Sequence, residues 1–202
     1  MASQALLEPI SAGTSEIKEL GSRFLGVALP VQTEKEASDA LAELWRQHPQ
    51  ATHICYAYRL GTLAEHFRAS DDGEPRHSAG TPILNQLKSA RLTQAMVAVV
   101  RYYGGTKLGV PGLVRAYGAA AEAAIAACQT QPSLPVFSFT VSAQPAAAGI
   151  VYDLARKKGL HLQQLGILPD GTQRLQLTGK GDAAESLALL AAKGIFPQTS
   201  NA

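Results

Sequence analysis

The stretch from Ala95 to Tyr103 constrains the fold most, because Ala95-Met96-Val97-Ala98-Val99-Val100 is wholly apolar before Arg101 interrupts it. A run of this length without alternation reads as a strand covered on both faces, and therefore as the centre of a sheet. Gly104, Gly105, Gly109 and Gly112 follow, with Pro111 among them, and then an alanine-rich segment. Proline is tolerated in the first turn of a helix, where the missing N–H has no intrahelical partner. The order is thus strand, glycine loop, helix, with Val114, Gly118, Ala121, Ile125 and Cys128 as a stripe of mostly small residues facing the sheet.

A glycine loop entering a helix suits anions, since the first backbone N–H groups are unpaired and carry partial positive charge. Lys107 lies inside the loop. Arg115, read as belonging to the first turn, opposes the helix dipole at a cost of roughly 0.3–1 kcal/mol when exposed, and a nearby anion would account for it. Two readings stay open: the amides cradle a phosphate, or the glycines serve turns and close packing while Arg115 pairs with a carboxylate. The loop is not a Walker A sequence, because Leu108 follows Lys107, and it lacks the glycine spacing of a dinucleotide fingerprint. Tyr102, Tyr103 and Tyr117 add aromatic faces, either for stacking bases or for half-buried packing. The candidate anion or nucleic-acid site is Arg101, Tyr103, Gly104, Gly105, Lys107, Gly109, Gly112, Arg115 and Tyr117.

Charge supports this only locally. The chain of 202 residues has a net charge of +2, too small for a whole-molecule field to attract nucleic acid. From Pro75 to Ala121, however, there is no Asp or Glu, while Arg76, Lys88, Arg91, Arg101, Lys107 and Arg115 all fall there. With 46% apolar and 17% charged residues the chain is expected to be globular. Cys55 and Cys128 form no close-spaced pair, Met1 to Leu20 lacks the features of an export signal, and no run is long enough to span a bilayer. A cytoplasmic protein with no membrane association, metal or cofactor is expected.

Ser22 to Val31 reads as a strand. Thr33 and Glu36 are spaced to cap a helix reciprocally, and Leu41, Leu44 and Trp45 form its buried stripe. Thr52 to Leu60 is a strand with Ile54, Tyr56, Tyr58 and Leu60 on one face and His53, Cys55 and Ala57 on the other. Glu65 to Ser70 is a further strand, Asp71 to Pro75 a turn, and Thr81-Pro82 the start of a helix. Gln129 to Pro135 reads as a linker. Beyond it come a strand (Val136 to Ala143), a helix (Ala146 to Lys158), a hairpin turning at Pro169-Asp170-Gly171 with a bulge near Gln163, and a helix (Ala183 to Lys193) capped by Asp182. A last strand within Ile195 to Asn201 would be interrupted by Pro197. These elements predict an α+β chain of two domains, residues 1–130 and 136–202, the second a split βαβ, ferredoxin-like unit.

Asp71, Asp72 and Glu74 form a secondary acidic candidate, able to hold magnesium beside a phosphate or simply to make a turn. His53 and Cys55 point the same way on their strand, but a zinc site would need more ligands, for which His66 and His77 are the obvious sources. No third group can be named that would orient Cys55 as a nucleophile. Binding is therefore expected rather than catalysis.

His53-Ile54-Cys55, the run Ser70 to Pro75 with Ala79-Gly80-Thr81-Pro82, and Val99 to Gly105 with Leu108-Gly109, Gly112-Leu113-Val114 and Ala116-Tyr117-Gly118 together resemble the YigZ/IMPACT family. The resemblance is strong from Lys18 to Cys128. It implies a first domain like the second domain of ribosomal protein S five and a tail like the last domain of elongation factor G. For function it implies a non-catalytic role linked to translation or its regulation, with RNA, the ribosome or a translation-associated protein as partner. Eukaryotic relatives regulate translation by binding an activator of the starvation-responsive initiation-factor kinase. The alternatives are a magnesium-dependent phosphate- or nucleotide-handling enzyme and a protein–protein adaptor. His77-Ser78 stands where the family pattern has Gly-Thr, so a backbone approach that needs glycine is expected to be blocked or rerouted there.

Overall fold

A computed structural model describes residues 5–198. The chain divides into two compact units between Ser133 and Leu134. In the first, the order is β1 (Leu7–Pro9), β2 (Gly13–Glu19), β3 (Ser22–Pro30), α1 (Glu34–Gln47), β4 (His53–Leu60), β5 (His66–Ser70), α2 (Gly80–Ser89), β6 (Ala95–Tyr102), α3 (Gly109–Ala126) and β7 (Thr130–Pro132). The apolar strand β6 is the middle of a five-stranded sheet, β2-β3-β6-β4-β5, in which all neighbours are antiparallel.

The continuous apolar run of β6 follows from cover on both sides. Val97 and Val99 join Cys55, Ala57 and Phe24 in a core closed by Ile83 and Leu87 of α2 and by Leu113, Ala116 and Ala120 of α3. Met96, Ala98 and Val100 join Ile54, Tyr58 and Leu60 under Ala37 and Leu44 of α1. Trp45, expected in the α1 stripe, is instead 36% exposed at its edge. Thr33 Oγ1 accepts the Glu36 N–H at 3.1 Å, and Glu36 accepts from Gln32 rather than from Thr33, so the reciprocal cap is displaced by one residue.

Helix α3 lies close to the sheet because both surfaces are small. Its buried residues include Leu113, Ala116, Tyr117, Ala120 and Ala124, whereas Val114 is 39% exposed. Of the expected stripe, Gly118 and Ala121 are buried and Ile125 and Cys128 pack against the core, so the packing face is wider than expected and only Val114 lies outside it. Opposite it, a Cβ on Gly26 would sit 2.4 Å from the Ala120 carbonyl oxygen.

β1 and β2 have no counterpart in the expectations. β2 is an edge strand, GTSEIKE, whose Ile17 packs against the core, too weak an alternation to register as a strand. The expected linker is also corrected in part: Thr130–Pro132 pairs antiparallel with Leu7–Pro9.

The second unit runs β8 (Val136–Ala143), α4 (Pro145–Lys158), β9 (His161–Ile167), β10 (Gln173–Lys180), α5 (Ala184–Ala191) and β11 (Pro197–Gln198), with sheet order β11-β8-β10-β9. Val141, Val151, Leu175, Leu177 and Leu190 form its core. The register shift leaves Leu165 as the bulged residue, two beyond the expected Gln163. Asp182 Oδ1 does accept the Ala184 N–H, at 2.8 Å, but α5 ends at Ala191 rather than Lys193. Pro197 is accommodated because β11 is an edge strand. The rest of the expected last strand, from residue 199 on, lies outside the described residues.

Gly26→Ala is expected to destabilise the first unit by about 2 kcal/mol, since a methyl must displace helix backbone. Gly149→Ala, where a Cβ would meet nothing within 4 Å inside α4, should stabilise the second unit by about 0.5–1 kcal/mol. Urea unfolding of the two variants checks both signs.

Candidate functional site

The loop joining β5 to α2 is organised by its acidic residues. Asp71 Oδ1 accepts the N–H groups of Ala79 (3.0 Å) and Gly80 (2.8 Å), and Oδ2 accepts that of His77 (2.8 Å). It thereby caps α2 from outside the helix. The helix starts at Gly80 with Ala79 as a cap residue that supplies no side chain, not at Thr81-Pro82 as expected. Burial raises the Asp71 pKa, but the N–H groups of His77, Gly80 and Ala79 and the nearby His77 charge outweigh it, so the carboxyl lies below its usual range. Asp72 Oδ2 accepts the Ile54 N–H at 2.7 Å, tying the loop to β4.

Glu74 turns inward. Its Oε1 accepts from Arg101 Nη1 at 2.5 Å and from the Tyr117 hydroxyl at 2.7 Å, and Arg101 and Tyr117 are 5% and 0% exposed. Cys55 lies beside this group and donates its thiol to the Asp71 carbonyl at 3.0 Å. Burial pushes the Cys55 thiol up, and the charges of Glu74, Asp72 and Asp71 add to it against a hydrogen bond with Tyr117. Burial likewise raises the Tyr117 hydroxyl, helped by Cys55 and Glu74. The thiol, buried and held in its protonated form, serves as a packing group.

These contacts correct three expectations. Asp71, Asp72 and Glu74 do not converge as magnesium ligands, since each carboxylate is committed to a different part of the protein. Among the described residues no three His, Cys, Asp or Glu side chains are grouped to hold a metal. Arg101 is not a surface phosphate contact, because its charge is met internally by Glu74. Tyr117 offers no stacking face. At His77 the backbone adopts φ 63°, in the left-handed region that favours glycine, and donates its N–H to Asp71.

The glycine loop has mixed roles. A Cβ on Gly104 would sit 1.9 Å from the Gly21 carbonyl carbon, so that glycine serves close packing. Gly105 and Gly109 occupy the left-handed region, at φ 87° and 68°. Helix α3 starts at Gly109, which puts Arg115 in its second turn, exposed and beyond the reach of the terminal dipole; the argument from the first turn is thereby removed. The N–H groups of Gly109 and Val110 make no hydrogen bond to another described residue, and Leu108 supplies no side-chain cap.

What the loop builds is a cleft of about 530 Å³. Buried Arg101 and Glu74 form its floor; Pro75, Leu108, Val110 and Leu113 its apolar walls; Thr52 and His53 one flank; Tyr103 and Lys107 the rim. Tyr103 is 46% exposed, its ring centroid 5.4 Å from the Arg101 guanidinium carbon and its hydroxyl bonded to the Gly105 carbonyl at 2.7 Å. Lys107 and Gly109 are brought together there, while Gly104, Gly105, Gly112, Arg115 and Tyr117 lie off the lining. Sequence reasoning missed Thr52, Leu108, Val110 and Leu113 and considered His53 only as a metal ligand. The alternation of β4, which puts His53 on the face of Cys55 and Ala57, was the available signal.

An antiparallel sheet covered on both faces, with a helix-start cleft at one end, followed in the chain by a separate small α+β unit, defines a two-unit protein with its candidate site in the first unit. Residues 20–125 match the Impact N-terminal domain family. The chain is 41% identical over 170 residues to the IMPACT family member in pol 5'region of Thermus thermophilus, covering 84% of this chain and 91% of that protein. It is 35% identical over 131 residues to the IMPACT family member YigZ of Escherichia coli (strain K12), covering 64% and 63%. A crystal structure of a hypothetical protein matches it with TM-score 0.80 at 25% identity over 98% of both chains. The chain belongs to the IMPACT family.

Asp71→Ala is expected to cost about 2 kcal/mol at neutral pH, the scale of a lost helix cap with charged hydrogen bonds. Because the folded-state pKa is depressed, this stabilisation is fully present above roughly pH 4 and fades as pH falls through the lower folded value. Thermal melts of both forms across that range should therefore converge in acid.

Proposed function

We propose that this protein is a non-catalytic binding protein linked to translation or its regulation, and that single-stranded RNA, free or on the ribosome, enters the cleft at the glycine loop. The link to translation comes from family membership and from what the resemblance to eukaryotic relatives implies. The observation that carries the ligand is the conjunction at one mouth of the Tyr103 ring, the Lys107 ammonium and the unshared N–H groups of Gly109 and Val110. An aromatic face beside a cation and backbone donors is the combination that holds a single strand by stacking and phosphate contact. Lys107 and Arg115 make no ion pair among the described residues, so their charge is available to a partner.

The same reading takes the second unit as ferredoxin-like, its strand order fitting the split βαβ arrangement, and as akin to the last domain of elongation factor G. It takes the first unit as akin to the second domain of ribosomal protein S five, and places the protein in the cytoplasm. Among the described residues no helix is long and apolar enough to cross a membrane.

Fluorescence anisotropy with labelled single-stranded RNA over a salt series tests the proposal. Affinity should fall steeply with salt, and Lys107→Ala should flatten the log–log slope by about 0.7, the value for one phosphate contact on a single strand. Arg115→Ala, off the cleft lining, should change the slope by less. No measurable binding at low salt would sink the proposal.

A further inference from the structure

We infer that the first unit holds a second ligand site, on the sheet face opposite the cleft, and that it binds a small zwitterion: a free α-amino acid with an apolar side chain. The site is a cavity of about 350 Å³ between α1 and the β4–β5 edge of the sheet, near the lower end of the roughly 300–1,000 Å³ usual for small-ligand pockets. It goes beyond the RNA reading and does not depend on it.

Helix period and strand register assemble it. Glu34, Ala37, Ser38 and Leu41 recur at the spacing of one helical face. Tyr56 and Tyr58 share a face of β4, and Arg68 of β5 is the direct cross-strand partner of Tyr58, so its side chain stands on that face too. The alternation that turns the tyrosines toward α1 sends His53 and Cys55 to the other face, where the cleft lies. The two phenol rings are nearly parallel, with centroids 6.5 Å apart, and with Ala37 and Leu41 they supply the apolar part of the lining.

The charges decide the ligand. Glu34 and Arg68 line one cavity with opposite signs, yet neither makes an ion pair with the other or with any other described residue. Both are next to the Tyr58 hydroxyl, which donates to Glu34 Oε1 at 2.9 Å. Burial and then the Glu34 carboxylate raise that hydroxyl above its ordinary range, against the Arg68 guanidinium beside it, so Tyr58 keeps its proton. One phenol satisfies neither neighbour: Glu34 retains a second oxygen as acceptor, and the guanidinium fork retains most of its donors. An ammonium matches the first and a carboxylate the second, with the planar fork meeting two oxygens at once. A simple anion would be repelled by Glu34 and a simple cation by Arg68, whereas a molecule carrying both heads is opposed by neither. Free α-amino acids are the compact molecules that do so, and Leu41 and the Tyr56 ring leave an apolar surface for the side chain.

Thermal melts of the full chain with each common L-amino acid in turn, at millimolar concentration, begin the test: one or more with an apolar side chain should raise the melting temperature. Calorimetric titration then compares the most effective of these with its two one-headed analogues, the acid lacking the amino group and the amine lacking the carboxylate. Each analogue should bind about tenfold more weakly or worse, the scale of one lost charge-assisted hydrogen bond. Glu34→Gln and Arg68→Gln, at exposed positions where substitution costs little stability, should each weaken the amino acid by a similar factor. Their signatures differ: in Glu34→Gln the acid lacking the amino group should bind as well as the amino acid, and in Arg68→Gln the amine should. The inference is overturned if no amino acid shifts the melt, if the analogues bind as tightly as the amino acid, or if both variants bind it as the unmodified protein does. A response confined to polar or charged amino acids overturns the assignment of an apolar side chain. None of these outcomes bears on RNA binding, which the salt series reads separately.

Discussion

The ion pair between Glu74 and Arg101 is the constraint on which the first unit is organised. It joins the acidic loop to the central strand, and the Tyr117 hydroxyl on the same carboxylate oxygen brings in α3. Both charges are almost wholly removed from water. Such a pair adds little net stability compared with an apolar replacement, yet losing one partner strands the other at a cost of about 3–5 kcal/mol. Its value here is positional: with the loop held at Glu74, Asp71 is placed to cap α2, and Asp72 to orient His53.

Much of the first unit's architecture was legible because local and global preferences agree. The uninterrupted apolar run of Ala95 to Val100 announced a strand with two covered faces, and the alternation from Ile54 to Leu60 assigned both sides of β4 correctly. Where the reading failed, the signal was non-local. β1 is three residues long and exists because β7 pairs with it, which no window around Leu7 or Gln131 reveals. On α3 the expected stripe holds at Gly118, Ala121, Ile125 and Cys128 but omits Leu113, Ala116, Tyr117 and Ala120, because a helix of small residues lying close to a sheet buries a wider face than one stripe.

The candidate site was half legible. The glycine loop marked the right place, and Lys107, Tyr103 and Gly109 do meet there. Charge was the misleading guide: a stretch without carboxylates invited the view that its arginines face outward, whereas Glu74, one residue before that stretch, neutralises Arg101. The acidic run misled in the opposite direction. Asp71 serves N–H groups eight and nine residues further along, a capping distance that no cap pattern based on adjacent residues anticipates. Register between β4 and β6, which sets His53 beside Arg101, is a property of pairing and invisible in either strand alone.

The β1–β7 clasp has a consequence for synthesis. On one edge Leu7 bonds to Arg91 and Thr93, and on the other it pairs with Pro132, so during translation this second edge has no partner until nearly the whole first unit has left the ribosome, and at roughly 5–20 residues per second that wait lasts several seconds. Until then that edge of β1 is unmet backbone. The last event in completing the first unit falls just as the second begins to emerge, which makes the division at Ser133 and Leu134 a boundary in time as well as in space.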